Sequence, residues 1–362
     1  MTAVLQPPMI DPVVTAEAPA IAEARTGPAL IKASIAFEGE QRGRTWLLFL
    51  STLCVYGMFL AAVFFAEWWP AKVLAACLAG LVIVRIFIFY HDALHGAIFR
   101  KSRVGQWCMS AIGIHVLAVR SVWKETHDYH HQHNAQIATA SIGSYPVLTT
   151  QQYRRATPAQ RRAYRMARHP LTMAAGLLTV FMLGMVGSAF RRSPGRHWMG
   201  PVALVLQLGA FIALGVTLGW LNAVCMLLIP AVVAMAAGSY LFYAQHNFPS
   251  VQLHRRRDWN YVQAALTSSS LFEMGPVMHW LTGNIGFHHV HHLNHRIPFY
   301  RLKEAMRAMP ELQAAGRTSW RIRDVRACLA QAIWDPDLGR MRTWKEARAL
   351  VRDNPQASEV AA

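Results

Sequence analysis

The chain has 362 residues, of which 54% are apolar and 15% charged, with a net charge of +17 and a mean hydropathy of +0.21. Those values favour a membrane protein over a soluble two-domain enzyme. The Lys and Arg residues flank apolar runs, the positive-inside pattern of a surface facing anionic headgroups, and no RNA or DNA motif accompanies them, so nucleic acid is not the expected partner. The cysteines Cys54, Cys77, Cys108, Cys225 and Cys328 form no CxxC pair, which argues against both a zinc finger and a disulfide framework.

Residues 1–43, rich in Ala, Pro and Val, lack the charged start, apolar core and cleavage site of a signal peptide. They are expected to form a mobile cytoplasmic tail. Residues 44–300 hold the apolar runs and are read as a membrane domain. Trp46–Ala66 carries no charge over 21 positions, enough to cross a bilayer at about 1.5 Å per residue. Glu67-Trp68-Trp69-Pro70-Ala71-Lys72 reads as a turn with interfacial tryptophans, and Val73–Tyr90 returns. Trp198–Gln245 is uncharged over 48 positions and reads as two further spans, turning at Gly219-Trp220-Leu221-Asn222.

Two other runs are read as re-entrant or interfacial. Val104–Val119 has only 16 residues. Leu171–Phe190 is long enough to cross, but Arg161, Arg162, Arg165 and Arg168 precede it and Arg191, Arg192 and Arg196 follow it. Basic residues at both ends keep both ends on the cytoplasmic side. The expected fold is therefore an all-α integral membrane protein with four transmembrane helices in two hairpins, two segments that dip in, and a cytoplasmic cap over 301–362. Arg85 lies inside the second span, where a charge is costly, and is expected to brace the site through Asp92, two helical turns on, or another acid.

Eleven of the 17 histidines fall in three windows: His91 and His95; His127, His130, His131 and His133; His288, His289, His291, His292 and His295. HxxxH places His91 and His95 on one helix face where a span ends. Two HxxHH clusters, His127-His130-His131 and His288-His291-His292, repeat the i, i+3, i+4 spacing. Adjacent imidazoles in such clusters are hard to satisfy as ordinary polar residues, and neutral imidazole is a good ligand for a first-row transition metal. His246, at the end of the last span, brings the candidates to nine. One tetrahedral zinc needs four ligands, so nine imply two metals, and oxygen chemistry makes iron the better choice. Asp92, Glu125, Asp128 and Asn284 are expected to hold imidazole N–H groups and orient the rings.

Gly283-Asn284-Ile285-Gly286-Phe287-His288-His289-Val290-His291-His292, continuing through Ile297-Pro298-Phe299-Tyr300, resembles the third histidine box of acyl-lipid desaturases in the membrane fatty acid desaturase superfamily, especially the omega-6 (delta-12-like) type. Arg85–Gly96 resembles that family's first box, Trp123–Asn134 its second, Leu241–Phe248 the end of its fourth span, and Ala330–Gly339 a tail element; the likeness covers roughly residues 45 to 345. It implies two iron ions on the cytoplasmic side, four spans, and O2-dependent insertion of a cis double bond into an acyl chain. An acyl-lipid substrate and an external electron donor, ferredoxin or a similar reductase, follow from it, since no His-Pro-Gly-Gly haem motif signals a fused cytochrome. A bacterial inner membrane is the expected location. Ala93-Leu94 inside the first box departs from many acyl-lipid desaturases, and the Asp-Ala opening also resembles carotenoid ketolases, so a carotenoid or sterol hydroxylase or ketolase is the alternative. A metal transporter or haem protein fits less well, because the spans themselves are nearly free of histidine.

Overall fold

The computed structural model describes residues 25–137 and 145–352 and is mostly helical. Four helices are long and apolar enough to cross a membrane: Arg42–Phe65, Trp69–Leu94, Met199–Leu218 and Trp220–His246. Each pair is joined by a tight turn. The first turn is shorter than the sequence implies, because Pro70 occupies the opening turn of the second helix, where its missing N–H costs nothing. The second turn pivots on Gly219, whose φ of +90° suits only glycine. Lys72 is buried between the two turns and ties them, donating to the Val63 carbonyl at 2.7 Å and to Asn222 Oδ1 at 2.9 Å.

The second long helix is the centre of the bundle: 67% of its apolar stretch is buried, against 17%, 11% and 28% in the other three. It packs against the first and fourth helices. The crossing with the fourth depends on Gly80, where a Cβ would lie 2.8 Å from the Pro230 carbonyl oxygen and 2.7 Å from Val233 Cβ. Small residues at such crossings let backbones approach where lipid supplies no hydrophobic drive.

Between the second and third long helices lie the two ambiguous apolar runs. Val104–Val119 becomes the helix Arg103–His115, capped by Ser102, and Gly113 lets it close on the Tyr90 ring. Tyr90 in turn donates to the Ala118 carbonyl at 2.5 Å. Leu171–Phe190 becomes a short helix, Pro170–Ala174, followed by wide π-type turns over Leu177–Ser188 that bury Phe181, Met185 and Val186.

Three expectations need correction. Within the segment expected to be a tail, Gly27–Ser34 is a helix: Leu30 is buried, Ser34 accepts from Asn294 at 2.8 Å, and Arg25 pairs with Glu311 at 2.7 Å. Its few core contacts are spread among Ala and Pro and give no visible period. The rest of that reading, residues 1–24, lies outside the described residues, as do 353–362. The cap of the expected all-α fold also contains strands. Arg317–Ser319 pairs in parallel with Leu271–Glu273, and Gln331–Asp335 forms a hairpin with Arg340–Thr343. Arg168, read as a flanking interfacial charge, is fully buried; it bonds the Pro146 carbonyl, Tyr243, Asn247 and the Gln331 carbonyl, tying this hairpin to the fourth helix.

Candidate metal centre

Three helix ends and one short helix converge at one end of the bundle. The second long helix delivers His91, with His95 at its C-cap, and the fourth delivers His246. Helix Arg120–Gln132 presents His127, His130 and His131, and helix His288–Leu293 presents His288, His291 and His292. The approach to the last helix depends on Gly283, where φ is +53° and a Cβ would stand 2.8 Å from Ile88 of the second helix. That close contact seats the last cluster against the first.

The nine imidazoles divide into two groups. His91, His95, His127, His131 and His291 form one, and His130, His246, His288 and His292 the other; within each group the ligand nitrogens all lie within 4.8 Å of one another. In the second group the Nε2 atoms form a closed ring: His130 to His246 at 3.1 Å, His246 to His288 at 2.9 Å, His288 to His292 at 3.1 Å, and His292 to His130 at 3.3 Å. A neutral imidazole nitrogen has one proton or one lone pair in the ring plane, so it cannot serve two such contacts at once. Nitrogens about 2.1 Å from a common metal and at right angles lie about 3.0 Å apart, which is the spacing seen here. In the first group Nε2 contacts run from His91 to His127 at 2.9 Å, to His131 at 3.1 Å and to His291 at 3.0 Å, while the buried Nε2 of His95 has no hydrogen-bond partner. The donor set thus fits two metal ions better than a hydrogen-bonded network.

Electrostatics agree. Burial first, and repulsion among the rings second, pushes His95, His127, His130, His131, His288, His291 and His292 well below the usual imidazole range. Neutral rings are the form that binds metal.

The residues expected to orient the rings divide differently. Asp92 does so: its Oδ1 meets His91 Nδ1 at 2.9 Å while Oδ2 accepts from the Phe299 amide at 2.7 Å. The other three are engaged elsewhere. Glu125 pairs with Arg196 at 3.1 Å, Asp128 pairs with Lys124 at 2.6 Å on the exposed helix face, and Asn284 donates to the Phe299 carbonyl at 3.1 Å. Arg85 does not reach Asp92. It donates to Thr52 at 2.9 Å and to the Trp280 carbonyl at 2.5 Å, and its guanidinium lies over the Trp280 ring. Shared helix face is not shared partner: Arg85 sits seven residues before Asp92, and its donors turn to Thr52 of the first long helix and to the Trp280 carbonyl.

Three contacts were not anticipated. Trp123 stacks on His127 with ring centres 5.0 Å apart, and Phe242 covers His130 and His246 at 4.9 and 5.4 Å. His295 lies 4.6 Å from the His95 ring and 5.2 Å from that of His131, with its Nδ1 buried and unpartnered. Its three-residue step beyond His292 was the available signal. His289 turns away, its Nε2 directed to Met306 Sδ at 3.2 Å. The backbone carbonyl of Ser268 holds His246 Nδ1 at 3.1 Å, a partner that no side-chain pattern could show.

An apolar cavity opens at the same place. His91, His127, His130 and His288 form its head, and Val84, Phe181, Met185, Ala234 and Met235 line it farther in. On the fourth helix its lining runs from Gln245 back to Ala234, a helix rise of about 16 Å.

A family model described as fatty acid desaturase matches residues 67–323. The fatty acid desaturase of Bacillus subtilis (strain 168) is 29% identical over 270 residues, covering 72% of this chain and 74% of that protein. An sn-1 acyl-lipid omega-3 desaturase (ferredoxin) of Nostoc sp. (strain 36) is 25% identical over 304 residues, covering 77% and 79%. The chloroplastic omega-3 fatty acid desaturase of Glycine max is 24% identical over 273 residues, covering 71% and 58%. The match runs from the turn between the first two long helices to beyond the last histidine cluster, well over half the sequence, and the chain therefore belongs to the fatty acid desaturase family, whose members are membrane oxidoreductases.

Proposed function

We propose that this chain is an O2-dependent acyl-lipid desaturase that holds two iron ions, one in each histidine group, and inserts a cis double bond into an acyl chain. The observation that carries the reading is the position of both histidine groups at the head of one apolar cavity. When bound, the two irons supply the redox chemistry that an unactivated methylene requires, which zinc lacks. The protein's own part is to bind and place the chain. Each methylene buried along Val84, Phe181, Met185 and Met235 contributes about 0.8 kcal/mol, and the apolar walls keep water from the reacting carbon. His91, His127, His130 and His288 set which carbon lies at the metals, because they meet the cavity directly. Asp92 holds the His91 ring in its orientation.

The site lies on the cytoplasmic side in this reading, with the electron donor, ferredoxin or a similar reductase, arriving at the basic loops there. Convergence of His130 with His246, and of His127 and His131 with His291, supports two hairpins in which Leu171–Phe190 enters and leaves on one side: a full crossing would separate those windows. In this reading the protein lies in a bacterial inner membrane, as its similarity to the Bacillus subtilis fatty acid desaturase supports.

Expression in a host lacking the activity, followed by profiling of membrane acyl chains, tests the reading. A new double bond is expected, its position read from the products. Unchanged acyl chains together with hydroxylated or oxidised carotenoids or sterols would assign the site to another oxidation. Purified protein is expected to carry two irons per chain and no haem spectrum; zinc alone would reject the redox assignment.

A further inference from the structure

A second cleft lies at the same end of the bundle, outside the metal centre. Arg44 and Leu48 of the first long helix, Arg85 of the second, His279 and Trp280 of the short helix Pro276–Leu281, and Lys303 line it. It shares no lining residue with the apolar cavity, and Gly283 and Ile88 pack between them. No carboxylate lines it. Glu304, next to Lys303, is already engaged with Arg301 through two bonds of 2.9 Å.

None of the three cations has a contact ion-pair partner among the described residues, although Arg44 acts on the Glu304 carboxylate at longer range. Arg85 is only 3% exposed and has no acidic partner among the described residues. Arg44 lies over the Tyr300 ring at 4.8 Å and donates to neutral Gln41 at 3.2 Å. Lys303 is exposed and forms no ion pair among the described residues. His279 adds a buried Nδ1 with no hydrogen-bond partner. Permanent positive charges gathered beside apolar walls are costly unless an anion joins them. Arg44 opens the first long helix, Leu48 sits one turn farther in, and Val277 on the short helix is 71% exposed. This combination of charge above and apolar surface below matches the level of lipid phosphates, where basic pockets between membrane helices take anionic headgroups.

We propose that this cleft binds the phosphate of an anionic phospholipid, with Arg44 and Lys303 facing the phosphate oxygens, at a site distinct from the one that holds the acyl substrate. The binding does not depend on the oxidation reaction, so each can fail without the other. Native mass spectrometry of the metal-loaded full chain, equilibrated with equal phosphatidylglycerol and phosphatidylcholine, tests it. The wild type is expected to retain phosphatidylglycerol preferentially. The double variant Arg44→Gln/Lys303→Gln should bind it roughly thirtyfold more weakly, from the loss of two interfacial charges. A control double variant at exposed positions, Arg326→Gln/Arg348→Gln, should retain it. Millimolar inorganic phosphate added to the wild type distinguishes the sources: displacement shows that phosphate alone is recognised, and persistence shows that the glycerolipid body contributes; both support the site if the double variant also loses the lipid. Equal retention by wild type and the Arg44/Lys303 variant, or no preference for phosphatidylglycerol, overturns it. If the double variant does not assemble, Lys303→Gln alone, at an exposed position, is expected to weaken binding roughly fivefold.

Discussion

Asp92 joins two distant parts of the chain, with one carboxylate oxygen on His91 and the other on the Phe299 amide. Removing it leaves the His91 ring without its orienting partner and a buried amide without an acceptor. Asp92→Ala is expected to weaken metal retention 10- to 100-fold, measured by chelator competition on purified protein. His289→Gln should leave metal content near that of the wild type, since this ring faces Met306, whereas His292→Ala should deplete it. Protonation acts on the same scale. Burial lowers His289 to about 4 and the rings of His131 and His292 well below the usual range. The folded, metal-free chain therefore binds fewer protons than the unfolded chain below pH about 6.5. Its stability is fully present above that pH and falls as the pH drops towards 4. Thermal unfolding of chelated protein at pH 7.5, 6 and 5 should show the decline, and a flat profile would contradict the buried neutral rings.

Helices meet where glycine permits it. A side chain at Gly80 would strike the Pro230 carbonyl oxygen and Val233, so Gly80→Val should cost about 1–3 kcal/mol through overpacking. At Gly283 two effects add, because the left-handed backbone penalises any Cβ and Ile88 occupies its place. Gly283→Ala is expected to destabilise the chain by about 1–3 kcal/mol and to reduce metal content as well, since it displaces the segment leading to His288. Unfolding midpoints and metal analysis on both variants check this: Gly80→Val should change the first measurement more than the second. The element scale is also where hydropathy served best and failed most clearly. Uninterrupted apolar length marked all four long helices, yet it could not show that Leu177–Ser188 would form wide turns and supply Phe181 and Met185 to the cavity wall.

Across the whole molecule, the two-hairpin arrangement predicts that reporters inserted after Arg168 and after Arg196 report the same side of the membrane, and that His133 and His295 label from that side too. Opposite sides for the two reporters would mean that Leu171–Phe190 crosses, which is incompatible with the convergence of His130 and His246. The nine ligand candidates and the four long helices were legible because both are local signals: i, i+3, i+4 spacing on a helix, and apolar runs long enough for a bilayer. Asp92 was legible for the same reason, standing next to His91. The division of the imidazoles into groups of five and four was not, nor were the partners of Arg85, Arg168, Glu125 and Asn284. Those depend on which helix faces which, and that is settled by close crossings at Gly80 and Gly283 and by contacts such as Arg85 to Trp280, 195 positions apart, and Arg168 to Gln331, 163 apart. Local chemistry marked the candidate imidazoles; only packing decided which of them lie within reach of one another.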